Sequence, residues 1–167
     1  VEIGAAPGGK TMQMLLGGAH VTALDRSEKR MARLQENLTQ RSLSTPCIAC
    51  DAMHYTPETP ADIVLLDAPC SATGTWRKHP EVLHLLRPET IQELAQIQKD
   101  LLDRAWAWLP RSGVLAYSVC SLQPEEGEAQ LAKFLSRHIN ARIKQPDTRH
   151  LHAEAIGQDG SIRTHLA

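Results

Sequence analysis

Short apolar runs alternate along this chain with stretches whose apolar residues recur at helical spacing, the pattern of a parallel sheet wrapped by helices. Strands are predicted over residues 1–4, 20–25, 45–50, 63–67 and 114–120, and helices over 11–16, 28–41, 88–109 and 124–137. Gly17 and Gly18 close the first helix, and Ser27 offers an N-cap to the second. Apolar residues at Ile91, Leu94, Ile97, Leu101 and Leu102 give the third its helical spacing. Pro124 opens the fourth, with Glu125 and Glu126 in its first turn, where acids suit the helix dipole. The prediction is an α/β domain with helices on both faces of a mostly parallel sheet. Beyond Asn140 the pattern weakens; residues 141–144 are a candidate for one more strand.

At 167 residues the chain is expected to form a single domain over 1–167, large enough to bury roughly 70% of its unfolded surface. Lys and Arg number 18 against 19 Asp and Glu, so there is no global positive field, and a polyanionic partner would need help from elsewhere. No apolar stretch approaches the ~20 residues of a membrane span, and no basic-then-apolar leader is present. The expectation is a soluble, cytoplasmic, monomeric protein with no membrane partner. The sequence opens on Val1 inside a strand pattern and ends without a stop signal, which reads as an excised piece of a longer chain lacking a closing strand.

The four cysteines are expected as free thiols, since a domain of this size needs no disulfide staples. Cys47 and Cys50 form a C-x-x-C, but no second close Cys or His pair completes a zinc site, and the motif lies in a strand pattern rather than at a helix start. Small strand residues is the reading it supports, and no metal is expected. Cys70 and Cys120 differ: each follows an apolar strand end, and Asp67 stands three residues before the first. Two such thiols suggest catalysis through a thiolate.

The first strand runs into Gly4, Ala5, Ala6, Pro7, Gly8, Gly9 and Lys10, small residues that let backbone approach a ligand just before a helix N-terminus. With Thr11 this stretch also fits the bare P-loop pattern, although Pro7 is atypical of a cradle built from consecutive N–H donors. Asp25, Asp51 and Asp67 end the second, third and fourth strand patterns, on the rim where α/β folds bind ligands. Asp25 is placed as an acid for ribose hydroxyls is placed, though each acid alone reads equally well as a cap or turn former. Arg77, Lys78 and His79 form the best local basic cluster, suited to phosphates or to a solvated loop. Trp106 and Trp108 read as packing residues, Trp76 as the one tryptophan near enough to stack on a base, and His138, His150, His152 and His165 as surface residues.

Three segments together carry a resemblance. Gly4 to Thr11, then Asp67-Ala68-Pro69-Cys70-Ser71-Ala72-Thr73-Gly74-Thr75 with Arg77-Lys78-His79-Pro80, then Tyr117-Ser118-Val119-Cys120-Ser121-Leu122 with Pro124-Glu125-Glu126, resemble the Sun/Fmu family of RNA (cytosine-5) methyltransferases. The likeness reaches to about Arg137 and is nearest to the branch acting on small-subunit ribosomal RNA. It implies a Rossmann-like, S-adenosyl-L-methionine-dependent methyltransferase acting on structured RNA, with an RNA-binding domain ahead of Val1. Carbon 5 of cytosine is a poor nucleophile and must first be made electron-rich by a thiolate adding at carbon 6. The resemblance gives that role to Cys120, the release step to Cys70, and the cytosine edge and its ring nitrogen to Asp67. It implies that Gly4 to Lys10 line the cofactor site with Asp67 at its border, Asp25 at the ribose and Asp51 at the adenine. Lys10 is the candidate to lower the Cys120 thiol from its ordinary value of about 8.5. Two positions depart from the family pattern: Gly4 where Cys is usual and Val119 where Thr is usual. Rival readings are a transfer RNA cytosine-5 methyltransferase, a DNA cytosine methyltransferase with Cys70 as nucleophile, a P-loop-type nucleotide-binding module, and an idle scaffold.

Overall fold

A computed structural model describes residues 1–144 and 161–162. Its strands are β1 (Glu2–Ile3), β2 (Ala23–Asp25), β3 (Cys47–Ala49), β4 (Ile63–Asp67) and β5 (Val114–Ser118). Its helices are α1 (Gly9–Leu16), α2 (Glu28–Thr39), α3 (Glu81–Leu85), α4 (Pro88–Trp106) and α5 (Glu128–Arg137). All five strands are parallel, in the order β3-β2-β1-β4-β5. Strand alternation sends neighbouring residues to opposite faces. Thus Leu24, Val64 and Leu66 join Leu101, Leu102 and Ala105 of α4 and Phe134 of α5 in one core, while Ala23 joins Met31, Leu34 and Leu38 of α2 in another. The predicted helices on both faces follow from that alternation.

The central strand is the shortest because Gly4 turns the chain at φ +77°, and a Cβ there would lie 2.3 Å from the Asp67 carbonyl oxygen. The departure from the family pattern at Gly4 therefore has a local cause: in this backbone no side chain fits. Val119, the second departure, packs against the larger core.

Several boundaries differ from the prediction. β5 stops at Ser118, two residues before Cys120, because Ala68 N–H closes on the Ser118 carbonyl (3.0 Å) and the chain then bends so that Gly74 N–H meets the Cys120 carbonyl (2.9 Å). α4 ends at Trp106 because its last bonds tighten to three-residue spacing, as from Trp108 N–H to the Ala105 carbonyl at 3.2 Å. The predicted fourth helix is split: a 3-10 turn spans Pro124–Glu126, Gly127 breaks it, and α5 follows. Glu126 is wholly buried instead of meeting a helix dipole in solvent, and its partners are described below. α3, five residues long, is too short to show periodicity in the sequence.

Residues 141–144 form no strand. Ala141 N–H donates to the His138 carbonyl (2.8 Å), and Arg142 folds back on the Ile139 and Ala141 carbonyls, spending the backbone groups a ladder would need. His138 is not a plain surface residue: its Nε2 lies 2.8 Å from Asp103 Oδ1 and its ring packs 4.4 Å from that of Phe134. Trp108 is buried and Trp106 meets Phe134 edge-on, whereas Trp76 is exposed. His150, His152, His165 and any closing strand lie outside the described residues. Among the described residues no helix is long and apolar enough to cross a membrane, and no group of three or more His, Cys, Asp or Glu is arranged to hold a metal ion.

Candidate active site

The strand order reverses direction between β1 and β4, since β2 and β3 lie to one side of β1 and β4 and β5 to the other. A crevice forms at the carboxyl ends of the strands at such a switch point, and it is where open α/β sheets bind ligands. Here it is a cleft of about 260 Å³ lined by Glu2, Ala5, Ala6, Pro7, Gly9, Lys10, Gln13 and Asp67. The loop after β1 forms one wall and the end of β4 the other, joined by an ion pair from Lys10 Nζ to Asp67 Oδ2 at 2.7 Å. At the cleft floor burial pushes the Glu2 carboxyl up, and Thr11 Oγ1 donates to it at 2.5 Å.

The loop enters α1 through Gly8, which has φ +101° and where a Cβ would come 3.1 Å from Leu34 Cγ. Its backbone is braced from outside the cleft. Asp25, buried at the end of β2, accepts from Ala6 N–H (3.3 Å) and Ser27 N–H (3.0 Å), and pairs with Arg30 at 3.3 Å. Arg30 also donates to the Ala6 carbonyl, and Asn37 Nδ2 to that of Pro7 at 2.9 Å. Asp25 thus braces the loop and is not among the residues lining this cleft. Asp51 is exposed beside it, since Cys50 N–H donates to the Asp25 carbonyl (3.0 Å), and it caps the 3-10 turn Ala52–His54 through Met53 N–H (2.9 Å). Of the three strand-end acids, Asp67 alone faces the cleft. Ahead of α1 the loop is short of donors, since Pro7 has no N–H and Gly8 N–H is bonded to the Ala5 carbonyl at 2.8 Å, and the Lys10 side chain is turned onto Asp67.

The two cysteine loops meet on the same rim. Cys70 Sγ and Cys120 Sγ are 3.4 Å apart, Cys70 half-buried and Cys120 exposed. The hydrogen bond from Cys70 is the largest influence on Cys120 and holds its thiol down at about 7, against burial and the Asp67 charge, which push it up. The same bond and burial push Cys70 far above the ordinary thiol range. Lys10 lowers Cys120 least among these influences, because its charge is spent on Asp67; the activation expected of it falls mainly to Cys70. A pH series of iodoacetamide alkylation, read by peptide mass spectrometry, should show Cys120 reacting with a midpoint near 7 while Cys70 stays protected. Cys70→Ala should move that midpoint up toward the ordinary value of about 8.5. An unmoved midpoint would return the activating role to Lys10.

The sequence reading missed the residues that hold these loops: Ser71, Thr73, Gln98, Tyr117, Ser121 and Glu126. One signal was present, since each of the two thiols is followed by a serine.

A parallel α/β sheet with a small-residue loop at its switch point and an acid opposite defines a Rossmann-like core of the kind that binds a nucleoside-containing cofactor. The chain belongs to the 16S rRNA methyltransferase RsmB/F family, whose family model matches residues 1–166. It is 41% identical over 155 residues to the ribosomal RNA small subunit methyltransferase B of Yersinia pseudotuberculosis, an alignment covering 89% of this chain and 36% of that protein. The chain therefore spans about a third of the length of such relatives. The crystal structure of PH0851 superposes with a TM-score of 0.84 at 32% identity, covering 98% of this chain and 39% of that one. That of NSun6 from Pyrococcus horikoshii with SFG superposes with a TM-score of 0.77 at 30% identity, covering 97% and 41%.

Proposed function

We propose that this chain is the catalytic domain of an enzyme that methylates carbon 5 of a cytosine in RNA, with small-subunit ribosomal RNA as its substrate. The observation that carries the reading is the thiol pair, 3.4 Å apart on the rim beside Asp67, with the Cys120 thiol held near 7. A thiol at about 7 is substantially ionised at neutral pH, which nucleophilic addition at carbon 6 requires. Cys120, exposed, adds to carbon 6. Once its charge is spent in the new carbon–sulfur bond, Cys70 loses its proton to solvent and, as thiolate, takes the carbon 5 proton, so that the ring double bond re-forms and the carbon 6–sulfur bond breaks to release Cys120 as thiolate. Asp67 holds the cytosine edge and supports protonation at the ring nitrogen.

S-adenosylmethionine, when bound, supplies the electrophilic methyl that the activated carbon 5 takes. The cleft fits such a group: one wall is small residues and backbone, and the Lys10–Asp67 pair that joins the two walls offers it both a cation and an acid. Gly4 to Lys10 would hold it, with Asp25 serving through the loop it braces and Asp51 at the rim. The Yersinia relative's name supports ribosomal RNA as the substrate. Trp76 and its neighbours support an RNA approach on the same side, since Gly74 N–H is bonded to the Cys120 carbonyl and the exposed Trp76, with Arg77 5.7 Å over its ring, follows two residues later.

The test uses the full-length protein with small-subunit ribosomal RNA tritiated at carbon 5 of its cytosines. One tritium should be released for each methyl group transferred, and the product should be 5-methylcytosine by mass spectrometry. Methyl transfer without tritium release would place the methyl on another atom and sink the reading.

A further inference from the structure

Glu126 is wholly buried, and both of its carboxyl oxygens are engaged by residues that adjoin the two thiols. Oε1 accepts from Ser71 N–H and from Gln98 Nε2, both at 2.9 Å. Oε2 accepts from the hydroxyls of Ser71 and Ser121, which are themselves 3.0 Å apart. Ser71 follows Cys70 and Ser121 follows Cys120, so one side chain grips the residue after each thiol. Gln98, also buried, donates through the same Nε2 to the carbonyl of Pro69 (2.9 Å), the residue before Cys70. Tyr117 closes the network by donating to Gln98 Oε1 (3.1 Å) and to the Glu126 carbonyl (2.7 Å).

The thiols come from loops fifty residues apart, and no covalent link sets their distance. We propose that Glu126 is the positioning residue that holds Cys70 and Cys120 at reacting distance, acting through Ser71, Ser121 and Gln98. A buried side chain accepting three bonds from the two loops and a fourth from Gln98 of α4 fixes both loops at once, because letting either move strands a donor in the interior. The sulfur–sulfur distance matters because the hydrogen bond across it lowers the Cys120 thiol, and it is steep in distance. The catalytic meaning of this clamp rests on the function proposed above, whereas the clamp itself is measurable without any substrate.

The test is the rate at which diamide couples the two thiols. Diamide takes two electrons and two protons from a thiol pair, leaving one disulfide and the reduced hydrazine, so its rate reports how often the sulfurs meet. The Cys70–Cys120 cross-link is followed by peptide mass spectrometry in the full-length protein, which separates it from any product of Cys47 and Cys50. Glu126→Ala should slow the cross-link at least about tenfold and lower kcat by a similar factor with KM for S-adenosylmethionine unchanged. Glu126→Gln should restore the cross-link to within about threefold of native, because an amide oxygen accepts the two N–H donors and the serine hydroxyls can turn to accept from the amide nitrogen. Should Glu126→Ala fail to fold, the double variant Ser71→Ala with Ser121→Ala takes its place with the same expected slowing. A native cross-linking rate in a folded Glu126→Ala or double variant would overturn the proposal, as would Glu126→Gln cross-linking as slowly as Glu126→Ala. Slowed cross-linking in Glu126→Ala, alongside a wild-type protein that methylates no RNA, would leave the clamp standing and sink only the proposed function.

Discussion

Cys120→Ser should abolish methyl transfer, by more than about 10³-fold, and should leave no covalent protein–RNA species on a denaturing gel. Cys70→Ser should do the reverse: the covalent species accumulates while turnover falls by about 10²–10⁴-fold, the range expected for loss of a proton-transferring group. The structure supplies the reason for the asymmetry. The two sulfurs are 3.4 Å apart, and exposure agrees with the motif in separating them: Cys120 is exposed and Cys70 half-buried, and the hydrogen bond between them lowers the Cys120 thiol while raising that of Cys70. A hydroxyl at Cys120 has no accessible anion at neutral pH and adds to nothing. A hydroxyl at Cys70 still donates a hydrogen bond to Cys120, so the addition step survives in that variant. Measuring adduct and methyl incorporation in the same samples decides between this order and its rival. An adduct that vanishes with Cys70→Ser and persists with Cys120→Ser would make Cys70 the nucleophile, as in the DNA-type reading.

How much of this was legible in the sequence depends on the range of the interaction concerned. β4 was read to the residue, since Ile63 to Asp67 is a short apolar run bounded by turn residues and its acid ends it. Asp67, Cys70, Cys120 and the Gly4 to Lys10 loop were found by local motif, and the fold brings them to one rim. What local pattern could not supply was the partner of each charge. Asp25 was placed correctly at its strand end, but that its carboxylate also braces the loop through Ala6 N–H, Ser27 N–H and Arg30 depends on how α2 packs over the loop. Lys10 was assigned to Cys120 because both are in the motif set, yet Asp67 lies nearer, across the switch point. Glu126 failed for the same reason: acids after a helix-opening proline are ordinary dipole partners, and it takes donors 28 and 55 residues distant in sequence, with Ser121 nearby, to turn this one inward. Helix periodicity likewise carried α5 straight through Gly127, where that inward pull breaks it.

Asp67→Asn should separate two quantities that usually move together. The Asp67 charge pushes the Cys120 thiol up, and its ion pair at 2.7 Å occupies the Lys10 charge that would push it down. Removing the charge while keeping the side chain's shape relieves the first effect and frees Lys10 for the second. Cys120 should therefore ionise at lower pH, and its alkylation at pH 6.5 should become several-fold faster than in the native protein. Methyl transfer should nonetheless fall by about 10²–10⁴-fold, because an amide has no proton to exchange with the cytosine ring nitrogen. That loss corresponds to about 3–5 kcal/mol of transition-state stabilisation, far more than a faster thiol can return. Lys10→Met should give the opposite sign on the thiol, raising its midpoint, since it removes a cation and leaves the acid unpaired. If alkylation and methyl transfer both fell in Asp67→Asn, its carboxylate would be acting on the thiol's position alone. If methyl transfer persisted at the native rate, Asp67 would be the partner of Lys10 and no part of the reaction.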